Sequence, residues 1–194
     1  MGWQTVISWL LASTGGLDAL STLVSGLAQD FPAALLIVLH TAPSSPRLLA
    51  AIVSRSTSLP VRYAEDGDTL ENGCIFIAPP DCHMIVRDPC HLGSDCGPKV
   101  QFVRPSIDKL FESVAQVFGT GAIGVVLSGR AHDGSNGLSA ITAAGGVGVV
   151  QDPLDARAAE MPASAIAGGH PKFVLPVVQI AALLSRLVQE EIDS

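Results

Sequence analysis

Two hydrophobic patterns alternate along this chain. Short, nearly uninterrupted apolar runs give way to segments whose apolar residues recur every three or four positions. The first run is Thr5-Val6-Ile7-Ser8-Trp9-Leu10-Leu11, rich in branched and aromatic residues, and it predicts a buried strand. Leu17, Leu20, Leu23, Val24 and Leu27 follow with the spacing of one helix face. Ala34 to Leu39 is the second strand, and Ser45-Pro46 predicts a helix start whose buried face is Leu48, Leu49, Ile52 and Val53. Short strands are expected near Val61 to Ala64 and at Cys74 to Ala78.

From Asp81 to Val103 the helical period vanishes. Turn residues (Asp88-Pro89, Gly93-Ser94-Asp95, Gly97-Pro98) separate two extended pieces, which predicts a hairpin laid on the edge of the main sheet. Pro105-Ser106 opens a helix with Ile107, Leu110, Phe111, Val114 and Val117 inward. Ala122 to Leu127 is a third strongly buried strand, followed by the polar loop Ser128 to Gly137. Leu138, Ile141 and Ala144 mark a short helix, Gly146 to Gln151 a fourth strand, and Ala156 to Glu160 one helical turn. Phe173 to Leu175 is a short strand, and Val177 to Gln189 a closing amphipathic helix. Strand and helix alternate throughout. The expected fold is therefore α/β, a doubly wound, mostly parallel sheet with helices on both faces and an inserted antiparallel hairpin at about 81–103. A single domain over 1–194 accounts for the length, with no repeat and no linker.

Composition narrows this picture in three ways. Hydrophobic residues make up 48% of the chain and mean hydropathy is +0.43, which strands buried on both faces produce without a membrane. The longest apolar runs, Phe31 to Leu39 and Phe173 to Leu184, each contain a proline and are too short to span a bilayer. A net charge of −7, with no basic stripe, argues against a nucleic-acid surface. Met1 to Leu11 lacks the Lys or Arg of a signal peptide, and Val6 stands where a myristoylation motif needs Ser or Thr. The chain is read as cytoplasmic. Cys82-His83, Cys90-His91 and Cys96 hold potential zinc ligands, but their spacing fits no compact knuckle, so free thiols are expected and no metal.

In an open α/β sheet, ligands bind beyond the carboxyl ends of the strands. Past the three most apolar strands stand Ser13, in the turn Ala12-Ser13-Thr14-Gly15-Gly16, then His40, then the loop holding Asp133. A serine is a weak nucleophile until an imidazole takes its proton, and the imidazole needs an acid to hold its tautomer. These three therefore compose a candidate Ser–His–Asp hydrolase site. The bland alternatives remain open: Ser13 as a helix N-cap or part of a phosphate cradle, His40 as a structural hydrogen-bonder, Asp133 as a turn residue. His132 and Asp152 compete for the basic and acidic roles. A nucleotide-binding module is disfavoured, because the serine turn has no Walker lysine and the second strand ends in His40 rather than an acid.

The serine turn is one of several segments that resemble a known family. Others are Ala64-Glu65-Asp66-Gly67-Asp68, Ile77-Ala78-Pro79-Pro80-Asp81-Cys82-His83-Met84, Arg104-Pro105-Ser106-Ile107-Asp108, Gly124 through Leu138 and Glu160-Met161-Pro162. Together, in order and over nearly the whole chain, they resemble the catalytic domain of chemotaxis-type protein-glutamate methylesterases, the CheB family. The resemblance implies Ser13 as nucleophile, His40 as general base and Asp133 as its orienting acid. It also implies the backbone N–H groups of Thr14 and Arg130 as oxyanion donors. No cofactor is implied. The implied activity is hydrolysis of glutamate γ-methyl esters with release of methanol, on a methylated partner such as the cytoplasmic helical region of a chemoreceptor-like protein. Glutamine deamidation at the same site, or a degenerate adaptor without catalysis, are the alternatives. Arg130 and Arg47 are candidate substrate-reading cations. The chain departs from the family at Trp9-Leu10-Leu11, at His40-Thr41-Ala42-Pro43 and at Gly129-Arg130-Ala131-His132. It also starts directly at the catalytic strand, where chemotaxis members carry a receiver domain first. Either that domain has been trimmed from this sequence, or the chain is a stand-alone member with a separate receiver protein as a possible regulator.

Overall fold

The computed structural model describes residues 6–11, 16–130 and 132–192. Seven strands form one parallel sheet: β1 (Val6–Leu11), β2 (Ala34–Leu39), β3 (Val61–Tyr63), β4 (Ile75–Ile77), β7 (Ala122–Val126), β8 (Val147–Gln151) and β9 (Phe173–Leu175). Their spatial order is β3-β4-β2-β1-β7-β8-β9, and every pairing is parallel. The chain winds outward from β1 on one side through β2, then crosses to β7 on the other. The crevice for a ligand thus lies where β1 and β7 end side by side.

The uninterrupted apolar strands follow from burial on both faces. Leu35, Ile37, Ile75, Ile77, Ile123 and Val125 face one core, closed by α1 (Gly16–Ser25), α2 (Leu49–Val53) and α6 (Val177–Ile192). Alternate residues Leu36, Val38, Phe76, Val126 and Val150 face the other. That core is closed by α3 (Ile107–Phe118), α4 (Ser135–Ala143), α5 (Glu160–Gly169) and a hairpin of β5 (His83–Asp88) and β6 (His91–Asp95). The doubly wound reading is confirmed.

Four local expectations are corrected. The hairpin does not lie on the sheet edge. It forms its own two-stranded sheet, buries Met84, Val86 and Leu92 in the second core, and takes the Ser113 Oγ of α3 as acceptor for the Val86 N–H at 3.0 Å. Helix α2 starts at Leu49 rather than Pro46, and only Leu49 and Val53, four apart, are buried, with Leu48 and Ile52 exposed. No helical turn forms over Ala156 to Ala159; the ten-residue α5 begins only at Glu160 and runs to Gly169, with Pro162 in its first turn, where its missing N–H costs nothing. Cys82 and Cys96 are joined in a disulfide across the hairpin ends, their Cα atoms 4.5 Å apart, while Cys74 and Cys90 are free.

The second core is closed tightly where α4 meets α3. A Cβ built on Gly137 would lie 2.6 Å from the Phe111 Cβ and 2.9 Å from the Asp108 Cα. Gly137→Ala should therefore push α4 off α3 and destabilise the protein by about 1–3 kcal/mol, the usual cost of overpacking. Urea unfolding read by far-UV circular dichroism checks this, and an unchanged midpoint would mean that the two helices separate freely.

Candidate active site

Parallel pairing sets Leu11 opposite Leu39 and Leu10 opposite Val126. The carboxyl ends of β2, β1 and β7 therefore lie side by side. The next residue after β2 is His40, and the segment after β7 carries Asp133. Ser13 and Thr14 belong to the four residues joining β1 to α1 and lie outside the described residues.

His40 and Asp133, 93 positions apart, meet directly: the His40 Nε2–H donates to the Asp133 Oδ2 at 2.8 Å. This sets the proton on Nε2 and leaves the lone pair on Nδ1 as the basic atom. Asp133 is 2% exposed, and a buried carboxylate needs donors. It receives three more, all from the start of α3. The Ser106 Oγ donates to Oδ1 at 2.9 Å, the Ile107 N–H to Oδ2 at 2.8 Å and the Asp108 N–H to Oδ1 at 3.1 Å. These are donors that an α-helix leaves unpaired at its first turn, and they lie at the positive end of its dipole. Ser106, the N-cap of α3, caps Asp133 instead of its own helix.

The relation is reciprocal. Asp108, also 2% exposed, accepts the N–H groups of Gly134 at 2.9 Å and Gly137 at 2.7 Å through Oδ1, so α3 holds the start of α4. Gly134 has φ +100°, the left-handed conformation that lets the chain turn from Asp133 straight into α4. His83 ties the hairpin to the same point. Fully buried, it accepts the Ser106 N–H on Nδ1 at 2.9 Å and donates from Nε2 to the Pro98 carbonyl at 3.1 Å. His83, one of the potential zinc ligands of the hairpin, is thus a structural bridge, and among the described residues no three His, Cys, Asp or Glu side chains gather as a metal site.

The competing residues lie elsewhere. His132 is exposed, and Asp152 closes a local turn on the Leu154 N–H at 2.9 Å. Arg130 is exposed at the lip of a groove of about 440 Å³ shared with Arg157 and Glu160. Its loop is pinned by Gly129, whose N–H reaches the Ala158 carbonyl at 2.9 Å and whose carbonyl accepts the Met161 N–H at 3.0 Å. Arg47 lies over the Tyr63 ring, 5.5 Å from its centroid. Ser106, Asp108 and His83 escaped the reading of the sequence as members of the site. The one local signal was a Ser–x–Asp at a helix start, which ordinarily denotes capping of that same helix.

A profile of the CheB methylesterase family matches residues 9–184. The chain belongs to the CheB methylesterase family. It is a methylesterase, a hydrolase of ester bonds. A putative protein-glutamate methylesterase/protein-glutamine glutaminase of Leptospira interrogans is 35% identical over 193 residues, covering 100% of this chain and 99% of its own length. A Methanosarcina mazei protein-glutamate methylesterase/protein-glutamine glutaminase is 37% identical, and there 92% of this chain matches 50% of the relative. Among solved structures, the CheB methylesterase catalytic domain of Thermotoga maritima superposes with a TM-score of 0.90 at 28% identity, covering 95% of this chain and 98% of that one. In this CheB methylesterase no helix among the described residues is long and apolar enough to cross a membrane.

The network carries a pH signature of its own. Burial raises the Asp108 carboxyl from 3.8 to about 6, with the neighbouring charges of Asp133 and Glu112 adding to the rise and the Gly137 and Gly134 hydrogen bonds opposing it. An acid whose folded pKa lies above its unfolded one costs stability once ionised. The folded state is then favoured below the unfolded pKa, and that advantage is lost as pH rises through the folded pKa. Asp108→Asn removes this loss while keeping an oxygen for Gly134 and Gly137. Relative to wild type, the variant should gain stability as pH rises from 3.8 to about 6. Melting temperatures measured across that range check the sign, and parallel curves would refute it.

Proposed function

We propose that the chain removes methyl groups from glutamate γ-methyl esters on a partner protein, releasing methanol, with Ser13, His40 and Asp133 as its catalytic triad. The observation that carries this reading is the His40–Asp133 hydrogen bond at 2.8 Å, fixed from behind by α3, on the sheet edge where β1 ends. The Ser13 hydroxyl attacks the ester carbonyl while its proton passes to the His40 Nδ1. Asp133 stabilises the imidazolium so formed. The backbone N–H groups of Thr14 and Arg130 hold the oxyanion. Collapse returns the proton to the leaving methoxide, giving methanol and an acyl-serine. Water, activated by the same imidazole, then releases the glutamate carboxylate and regenerates Ser13.

The substrate in this reading is the cytoplasmic helical region of a chemoreceptor-like protein, and the enzyme works in the cytoplasm. Residues 1–194 then act as one catalytic domain. Arg130, beside Arg157 on the groove, and Arg47 read the acidic surroundings of the ester. A second reading, deamidation of glutamine, is favoured by the double names of the Leptospira and Methanosarcina relatives. It needs the same attack with ammonia as the leaving group.

Methanol release from a methylated glutamyl protein, together with labelling of Ser13 by a fluorophosphonate, tests the reading. Ser13→Ala and His40→Ala should each remove most activity, with the double variant little worse than either, because residues acting as a unit are not additive. Asp133→Asn should slow acylation, because the amide favours the wrong imidazole tautomer. An Asp133→Asn enzyme as stable and as active as wild type would sink the triad. For Arg130→Met, KM should rise and its salt dependence flatten, with kcat within about severalfold. A collapse of kcat with unchanged salt dependence would instead make Arg130 part of the chemistry.

A further inference from the structure

His40 opens on a cavity of about 100 Å³ whose outer wall is the segment from Lys99 to Arg104. That segment is a tight two-residue turn. The Val100 N–H donates to the Val103 carbonyl at 3.1 Å and the Val103 N–H returns to the Val100 carbonyl at 2.9 Å. The two residues at the tip, Gln101 and Phe102, both take positive φ, 46° and 68°. Turns of this kind normally carry Asn-Gly, because a side chain with a bulky Cβ substituent is strained there. Phe102 is nevertheless placed at the tip, 94% exposed. The fold thus accepts backbone strain at a phenylalanine and buries almost none of its ring.

The turn is also braced. The Gln101 Nε2 donates to the Asp108 Oδ2 at 3.0 Å, anchoring the tip to α3. Arg104 holds the outgoing strand through Asp81, at 3.0 Å from Nε and 2.7 Å from Nη2, and through the Cys96 carbonyl at 2.8 Å. The incoming strand is held by His83 on the Pro98 carbonyl, below the Cys82–Cys96 disulfide. Beside the ring, Lys99 is exposed and has no carboxylate partner among the described residues. Strain retained in a braced element next to a reacting group marks a place where a ligand recovers the loss, and a rigid exposed aromatic loses little freedom when covered.

We propose that Phe102 and Lys99 form a docking arm for the substrate protein. Phe102 covers an apolar side chain of the segment flanking the reacting glutamyl ester, and Lys99 meets a neighbouring carboxylate. The occupant is an acidic, amphipathic protein segment, for which the exposed Lys99 offers a local cation on an enzyme whose net charge is −7. This inference rests on the reading of the substrate as a methylated glutamyl protein.

The test compares two substrates. One is p-nitrophenyl acetate, which has no flanking protein segment for the arm to hold. The other is a synthetic helical peptide bearing one glutamate γ-methyl ester among glutamates and leucines. For Phe102→Ala, KM on the peptide should rise about tenfold with kcat nearly unchanged, while p-nitrophenyl acetate hydrolysis changes by less than about twofold. Phe102→Gly, which keeps the Gln101 anchor, should weaken peptide binding as much yet melt higher than wild type, because it relieves the positive φ at that position. Lys99→Met should flatten the salt dependence of KM on the peptide. Wild type active on the peptide with Phe102→Ala unchanged would overturn the docking arm alone. Equal losses on both substrates in a folded Phe102→Ala enzyme would do so too, by showing that the turn supports His40. A wild type that hydrolyses p-nitrophenyl acetate but leaves the peptide intact would overturn both the arm and the reading of the substrate.

Discussion

The Asp133 carboxylate, buried at the amino end of α3, is the constraint around which this CheB methylesterase is arranged. An ionised carboxylate removed from water is tolerated only where its lone pairs are met by donors. Here the donors come from the Ser106 hydroxyl, two backbone N–H groups of the first helical turn and the His40 imidazole. Both oxygens are engaged twice, so the carboxylate cannot rotate without losing bonds on either side. The orientation of His40 is therefore inherited from a helix rather than from its own strand.

Several other features follow from that arrangement. For α3 to reach Asp133, the β7–α4 loop must turn sharply, which Gly134 allows, and α4 must run close against α3, which Gly137 allows. Asp108 then secures the loop from the α3 side through the same two glycines. Two buried aspartates a few residues apart in space thus do different work. Asp133 sits at the positive end of a helix and carries the imidazole, while Asp108, desolvated and close to Asp133, is driven toward its neutral form. The hairpin, held by His83 and by Ser113, shields this polar cluster from water and extends the second core beneath it.

Among the described residues, the departures from the family pattern at Thr41-Ala42, Arg130 and His132 fall around the crevice, and the one at Trp9-Leu10-Leu11 falls at the end of strand β1, none of them within the Asp133 network. The superposition on the Thermotoga maritima catalytic domain, at a TM-score of 0.90 with 28% identity, is what such a division produces. Packing and buried hydrogen bonds hold the backbone to one geometry, while exposed loop positions are free to vary.

The sequence by itself determined the layers. Strands sandwiched between helices must be apolar on both faces, so β2 and β7 are legible as unbroken runs, and parallel strands must deliver the residues after them to one edge. His40 and the loop holding Asp133 could be placed at one edge for that reason, while the choice of Asp133 over its competitors rested on the family resemblance. The amphipathic period of α3 and α6 was equally plain. The tertiary structure decided everything that depends on a partner distant in the chain. Helix α5 was hidden because Pro162, Gly168 and Gly169 break its local pattern, and packing against Leu138 is what sustains it. A hairpin pattern says nothing of what the hairpin rests on, and cysteine spacing says nothing of which thiols meet across it. Ser106 and Asp108 read as ordinary residues of a helix start. They became part of the site only because folding set Asp133, which lies 25 positions beyond Asp108, against donors that a helix cannot satisfy for itself.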